Sequence, residues 1–131
     1  MMRSELFEAG LKVRKEVLGE AHVERSLGNA NAFTMPLQEF ITEVAWGRAW
    51  SKSALSRKQM SLNNLCMLAA LNRATEFEVH FRGALRSGCT LDELRDTLLQ
   101  VAAYCGAPAG VEAFRIANKV LTDEGIEVGE A

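Results

Sequence analysis

Residues Thr75–Leu85 read TEFEVHFRGAL and are typical of the start of an amphipathic helix. Thr75 and Glu78 have the spacing of a capping box, which places Glu76 in the first turn and His80 one turn later. Side chains four residues apart lie on the same helical face, so the Glu76 carboxylate can hydrogen-bond one imidazole nitrogen of His80. The other nitrogen is then available to exchange a proton with a substrate. The same spacing also suits a half-buried histidine beside a surface glutamate that has no catalytic role.

The chain has 131 residues, of which 48% are hydrophobic and 24% are charged, as expected for one soluble globular domain. Fifteen basic and seventeen acidic side chains leave a net charge of −2, which gives no electrostatic reason to expect a nucleic-acid or membrane partner. The first residues, Met1–Glu5, lead into no apolar signal sequence, and no uncharged run approaches membrane-spanning length. We therefore expect a cytoplasmic protein with a single domain over residues 1–131.

The three cysteines, Cys66, Cys89 and Cys105, are far apart in the sequence and form no CxxC motif. A zinc site or a redox dithiol is therefore not expected. With only two histidines, a metal centre would need unusual ligands. We interpret the three thiols as core or bystander residues.

The pattern of apolar residues predicts an almost entirely helical chain of about six to seven helices. The predicted helical ranges, set by prolines, capping residues and glycines, are 4–18, 36–50, 56–71, 75–88, 90–104 and 108–121. Thr90 and Glu93 form a second capping box. Residues 20–35 are predicted to be irregular and the tail 122–131 to be frayed. The helix after Ser56 carries apolar residues round most of its circumference, so we expect it to be the central, most buried helix.

Short motifs follow one another along the chain in a definite order. They are GxxVRxxVLGxxHV from Gly10, QEFITE from Gln38, AWGxxW from Ala45, LSR from Leu55, ALNR from Ala70, HxRGA from His80, GxT from Gly88 and QVAxYxGxP from Gln100. Each motif alone is weak. Taken together over residues 7–121, the set resembles the carboxymuconolactone decarboxylase and alkylhydroperoxidase D-like superfamily. The motifs within residues 38–50 and the YxGxP element indicate its decarboxylase branch.

The resemblance implies an all-α fold of the alkylhydroperoxidase D-like type. It implies assembly into homo-oligomers, commonly trimers or hexamers, with active sites near subunit contacts. It also implies catalysis without a metal or an organic cofactor. The implied substrate is a butenolide with two carboxylates, an intermediate of protocatechuate breakdown, which loses CO₂ to give an enol-lactone.

In this interpretation His80 is the acid that protonates carbon, while Glu76 orients it and favours its protonated form. Bidentate guanidinium pairing suits a substrate with two carboxylates. The candidate anchors are Arg57, Arg73 and Arg82. Any one of them could instead form a solvated or interfacial salt bridge. Trp46 is a candidate pocket wall, but core packing or a subunit contact is the favoured interpretation of Trp46 and Trp50, one turn apart.

Three alternatives remain open at this point. In the peroxidase-like relatives a CxxC motif precedes the equivalent of His80, and its cysteines fall on Arg73 and Glu76 here, which cannot form a disulfide. A thiol-dependent peroxidase or disulfide reductase is nevertheless the first alternative. The decarboxylase branch often carries further basic residues where this chain has Lys58-Gln59-Met60, so a paralogous lyase acting on a related lactone or β-keto acid is the second. A non-enzymatic oligomeric scaffold is the third.

Overall fold

The computed structural model describes residues 3–131, a range that contains helices and no strands. Its elements are α1 (Glu5–Leu18), α2 (Glu20–Gly28), α3 (Met35–Phe40), a π-helix (Ile41–Trp50), α4 (Arg57–Ala70), α5 (Ala74–Arg86), α6 (Leu91–Cys105) and α7 (Ala107–Asp123). The predicted all-α fold class is therefore confirmed. Contacts divide the chain into two compact units, a first one ending at Arg57 and a second one from Lys58 to Ala131. The single-domain organisation over residues 1–131 stays a prediction.

None of the helices within the described range is long and apolar enough to cross a membrane.

In the first unit, α1 and the π-helix approach each other closely at two glycines. A Cβ on Gly10 would lie 2.9 Å from Gly47 Cα and closer still to the carbonyl oxygen of Thr42. A Cβ on Gly47 would collide with the carbonyl oxygen of Leu6. The two backbones can touch only because neither glycine carries a side chain. The buried apolar side chains of this unit are Phe7, Val13, Val17, Leu18, Val23 and Trp46.

The prediction that residues 20–35 are irregular is wrong for their first part, which forms α2. Gly19 ends α1 at a φ of 92°, and α2 begins at the next residue. Val23 is the buried side chain of α2. A helix anchored by one buried residue has too weak a hydrophobic period to be recognised from its sequence. Its stability comes from packing within the unit.

The predicted helix over residues 36–50 is present, but its winding changes part of the way along. α3 has a proline in its first turn, and from Ile41 the chain continues as the π-helix. A hydrogen bond of 2.9 Å from Ser51 N to Trp46 O has the five-residue spacing of this winding. The rings of Trp46 and Trp50 are stacked, with centroids 4.7 Å apart.

In the second unit, α5, α6 and α7 supply most of the hydrophobic core. Its large buried side chains are Leu65, Phe77, Phe81, Leu94, Leu98, Ile116 and Val120. α4 contributes only Ser61 and Leu65 to the buried set, and Leu71, just beyond its end, is 70% exposed. The prediction that α4 is the most buried helix is therefore wrong. Apolar residues round most of a circumference cannot all face one core.

Of the two predicted capping boxes, one is present. Glu93 N donates to Thr90 Oγ1 at 3.1 Å, and Thr90 N donates to Glu93 Oε1 at 2.8 Å. The capping box at Thr75 is wrong, because Thr75 lies inside α5, whose N-cap is Arg73 and which has no side-chain cap. Glu78 instead accepts a hydrogen bond from Arg82. The four-residue spacing on which the predicted site depends is unaffected.

Candidate active site

His80 lies on α5, half-buried, with a partner on α4. Its Nδ1 is 3.2 Å from Nδ2 of Asn64. The side-chain amide of Asn64 can rotate by about 180°. In one orientation Nδ2 donates to a neutral imidazole, and in the other Oδ1 accepts from an imidazolium. Asn64 can therefore hydrogen-bond the imidazole of His80 in both protonation states. A residue that gives up and regains a proton needs such a partner. Sequence analysis missed Asn64, since two consecutive asparagines at 63 and 64 on a largely apolar helix reveal nothing about their partners.

Glu76 lies one turn before His80 on the same helix. Its Oε1 accepts a hydrogen bond of 2.7 Å from Nη2 of Arg73. This bond, followed by a backbone hydrogen bond, lowers the pKa of Glu76, and the charge of His80 contributes in the same direction. Glu76 is therefore an anion whose charge interacts with that of His80. The structure thus brings Arg73, Glu76 and His80 together, while a direct hydrogen bond between Glu76 and His80 stays a prediction.

Arg82 lies on a different face of α5. Its guanidinium binds Glu78 at 2.7 Å, Glu124 at 3.1 Å and Asp123 at 3.3 Å, and Lys119 also binds Glu78 at 3.2 Å. Glu78, followed by Glu124, raises the pKa of Arg82. We name these five residues the α5–α7 ion-pair cluster. A substrate carboxylate would have to displace one of the three carboxylates from Arg82, so its role as an anchor stays a prediction.

Arg73 lines a cavity in the second unit. The cavity has a volume of about 330 Å³ and carries two charged side chains, Arg73 and Glu112. Its large apolar side chains are Leu68, Phe77 and Ile116. The volume suits a small molecule. His80 is not among the lining residues, so the cavity and the imidazole occupy different parts of α5.

Two predicted binding residues belong to the first unit. Arg57 Nη1 pairs with Glu16 Oε2 at 2.5 Å, and both side chains are partly exposed. Trp46 is buried and stacks on Trp50. The contact of Arg57 is typical of a surface salt bridge, and that of Trp46 is typical of core packing. Substrate binding by either residue stays a prediction.

The three cysteines differ in their environments. Burial raises the pKa of Cys66 and of Cys89, so both are poor nucleophiles at neutral pH. Cys105 is exposed. Where the peroxidase-like relatives have their CxxC motif, this chain has the ion pair of Arg73 and Glu76.

Within residues 3–131, no group of three or more His, Cys, Asp or Glu side chains is placed to hold a metal ion.

The fold and the sequence identify the family. The fold is all-α, of the alkylhydroperoxidase D-like type. The model of the carboxymuconolactone decarboxylase family matches residues 36–119, more than half of the chain. The chain belongs to this family.

Two curated relatives match almost the whole chain. A nitrosuccinic acid decarboxylase from Metarhizium robertsii is 45% identical over 118 residues, which cover 90% of this chain and 82% of the relative. A 4-carboxymuconolactone decarboxylase from Acinetobacter baylyi is 43% identical over 120 residues, which cover 92% and 90%. A shorter 4-carboxymuconolactone decarboxylase sequence from Pseudomonas putida is 45% identical over 47 residues, 36% of this chain and 98% of that sequence.

Proposed function

We propose that the protein decarboxylates a small carboxylated substrate and that His80 protonates the delocalised carbanion that remains when CO₂ leaves. The chain is a carboxy-lyase by its family and by both long relatives. The observation that carries the assignment of His80 is geometric. A half-buried imidazole is held by Asn64 from one side and lies one turn from an ionised Glu76.

The proposed substrate is 4-carboxymuconolactone, and the product is 3-oxoadipate enol-lactone, a step in the breakdown of aromatic compounds. Loss of the ring carboxylate leaves an electron pair that is delocalised through the alkene to the lactone carbonyl. Nitrosuccinic acid shares this logic, because its nitro group accepts the electron pair left by the neighbouring carboxylate. In both molecules the substrate supplies its own electron sink, so the chemistry needs no pyridoxal or thiamine cofactor.

The protein's own task is to deliver one proton to carbon. As the carbon–carboxylate bond of 4-carboxymuconolactone breaks, its electron pair moves through the alkene toward the lactone carbonyl. The His80 imidazolium then transfers its proton to the ring carbon next to that carbonyl, which leaves the double bond at the carbon that lost CO₂. Asn64 can follow the change from imidazolium to imidazole by turning its amide. Glu76 favours the protonated starting state. Acid–base assistance of this kind contributes roughly 10²–10⁴ in rate, and positioning and electrostatics must supply the rest.

Among the candidate anchors, we favour Arg73 for a substrate carboxylate. Arg73 binds Glu76, which lies one turn from His80 on the same helix. Its ion pair with Glu76 is exposed to solvent, so a second carboxylate can approach the guanidinium without a large desolvation cost. Arg82 would have to leave part of the ion-pair cluster, and Arg57 would have to leave Glu16.

The direct test measures CO₂ release by the purified protein in buffer that contains EDTA and no added cofactor. We expect rapid release from 4-carboxymuconolactone and slower release from nitrosuccinic acid. The matched background is the His80→Gln variant under the same conditions. If neither compound loses CO₂ faster than in buffer alone, the proposed activity is refuted.

The Glu76→Gln variant should lose activity at a lower pH than the wild type. The neutral amide no longer favours the imidazolium form of His80, so the acid loses its proton sooner as the pH rises. The alkaline limb of the pH–rate profile therefore moves to lower pH. The maximal rate falls less than in His80→Gln. Asp92→Asn is a matched control, because Asp92 also pairs with an arginine three residues away on a helix and does not line the cavity of Arg73. An alkaline limb at the same pH in wild type and Glu76→Gln would remove Glu76 from the mechanism.

We also propose that the protein is a homo-oligomer, a trimer or hexamer. Large apolar side chains are exposed in the first unit at spacings of three or four residues. Those within residues 33–44 are Phe33, Leu37, Phe40 and Val44, of which Phe33 is 91% exposed. Exposed large apolar side chains concentrated in one segment favour an association site.

Light scattering should therefore give a mass of several subunits at micromolar concentration, and Phe40→Glu should lower that mass. A glutamate buried in the contact between subunits would have no partner, so association would become unfavourable. Arg48→Glu, a charge change at an exposed position of the π-helix, is the control that should leave the mass unchanged. A wild-type protein that is monomeric at micromolar concentration would contradict this proposal.

A further inference from the structure

Arg14 on α1 is a buried arginine whose hydrogen bonds are incomplete. Arg14 is only 5% exposed. Nη1 donates to Thr42 Oγ1 at 3.0 Å, and Nη2 donates to Gln38 Oε1 at 2.9 Å. The Nε–H is buried and has no hydrogen-bond partner among the residues that the structure describes.

The charge of this guanidinium is not balanced within its own unit. Both of its partners are neutral oxygens, and no carboxylate of residues 3–57 forms an ion pair with it. Burial lowers the pKa of Arg14, and no opposing charge offsets that effect. Arginine is rarely this buried unless an anion pairs with it, because removing the charge from water is costly. The group that would complete this site is therefore an anion and not a further neutral hydrogen-bond acceptor.

We propose that Arg14 is a binding site for a carboxylate group. Nε–H and the adjacent Nη2 form the edge of the guanidinium that pairs with both oxygens of a carboxylate. Gln38 is half-buried and occupies Nη2 with a neutral oxygen. A carboxylate that displaces the Gln38 amide replaces one hydrogen bond to a neutral oxygen with two hydrogen bonds to an anion. Thr42 is fully buried and holds Nη1, so the guanidinium stays in place during the exchange.

The direction of approach follows from the burial of the three side chains. Thr42 closes one side, whereas Gln38 is partly open to solvent. A small carboxylate from solution and an acidic side chain of a second copy of this chain present the same chemistry to Arg14. The proposal does not depend on decarboxylation by His80, and it concerns residues of the first unit only.

The test observes the Nε–Hε resonance of Arg14 in intact wild-type protein labelled with ¹³C and ¹⁵N, assigned through its own side-chain carbons. Succinate is the probe and the uncharged succinamide is its control. We expect the Hε resonance to move downfield with succinate and not with succinamide. A downfield shift that grows with protein concentration alone would also support the site and would assign the carboxylate to a second copy. A resonance that responds to neither succinate nor protein concentration would overturn the proposal.

A thermal-shift experiment gives a second readout. At a succinate concentration tenfold above the dissociation constant, we expect the wild-type Tm to rise about 3–6 °C more than that of Arg14→Gln. Arg48→Gln removes an exposed arginine of the same unit and should behave like the wild type. An equal rise in Arg14→Gln and wild type, together with an Arg14 Hε resonance that does not move with protein concentration, would overturn the proposal. The resonance experiment needs no variant, so it decides the question even if Arg14→Gln fails to fold.

Discussion

The His80→Gln variant is expected to turn over substrate about 10²–10⁴ times more slowly than the wild type, with little change in KM. Glutamine has a similar size and can still hydrogen-bond Asn64, but it cannot give a proton to carbon near neutral pH. The loss should therefore fall on the chemical step and not on binding. Initial rates of CO₂ release from 4-carboxymuconolactone at saturating and at low concentration separate the two effects.

The control for this prediction is His22→Gln, which removes the other of the two histidines in the chain. We expect it to keep the wild-type rate. Equal rates for His80→Gln and wild type would eliminate His80 as the acid. A loss in His22→Gln would then transfer the role to His22.

The Gly10→Ala variant is expected to be strongly destabilised, by about 3 kcal/mol or more. The added methyl group would collide with backbone atoms of Thr42 and Gly47, which cannot move aside as a flexible side chain can. α1 and the π-helix would have to separate, and the buried apolar side chains between them would lose contacts. Chemical denaturation followed by circular dichroism measures the loss.

Gly28→Ala is the matched control, because a Cβ at Gly28 meets no atom within 4 Å. We expect its free energy of unfolding to equal that of the wild type or to exceed it slightly. If Gly10→Ala were as stable as Gly28→Ala, the close approach of α1 and the π-helix would not be present in solution.

The part of the candidate site that could be predicted from sequence is the part set by local spacing. Glu76 and His80 share a face because they are four residues apart on a helix, wherever that helix begins. For this reason the wrong capping box at Thr75 did not affect the prediction. The start of a helix depends on competing partners, and here Glu78 pairs with Arg82 and not with the helix end.

The parts that could not be predicted depend on contacts between distant positions. Asn64 and His80 are 16 residues apart, and Arg14 is 24 and 28 residues from its partners. No local pattern specifies such pairs, since each depends on how whole helices pack. The π-helix is a similar case, because its wider winding has no sequence signature and is settled by its contact with α1.

The α5–α7 ion-pair cluster has a consequence for the order in which the protein is made. Its bonds between the two helices join positions 41 and 42 residues apart. Because translation proceeds from the amino end, α5 leaves the ribosome before α7 exists, and the bonds to Arg82 and Glu78 cannot yet form. A nascent chain that ends before α7 would therefore present the helix of Glu76 and His80 without the ion pairs to Lys119, Asp123 and Glu124.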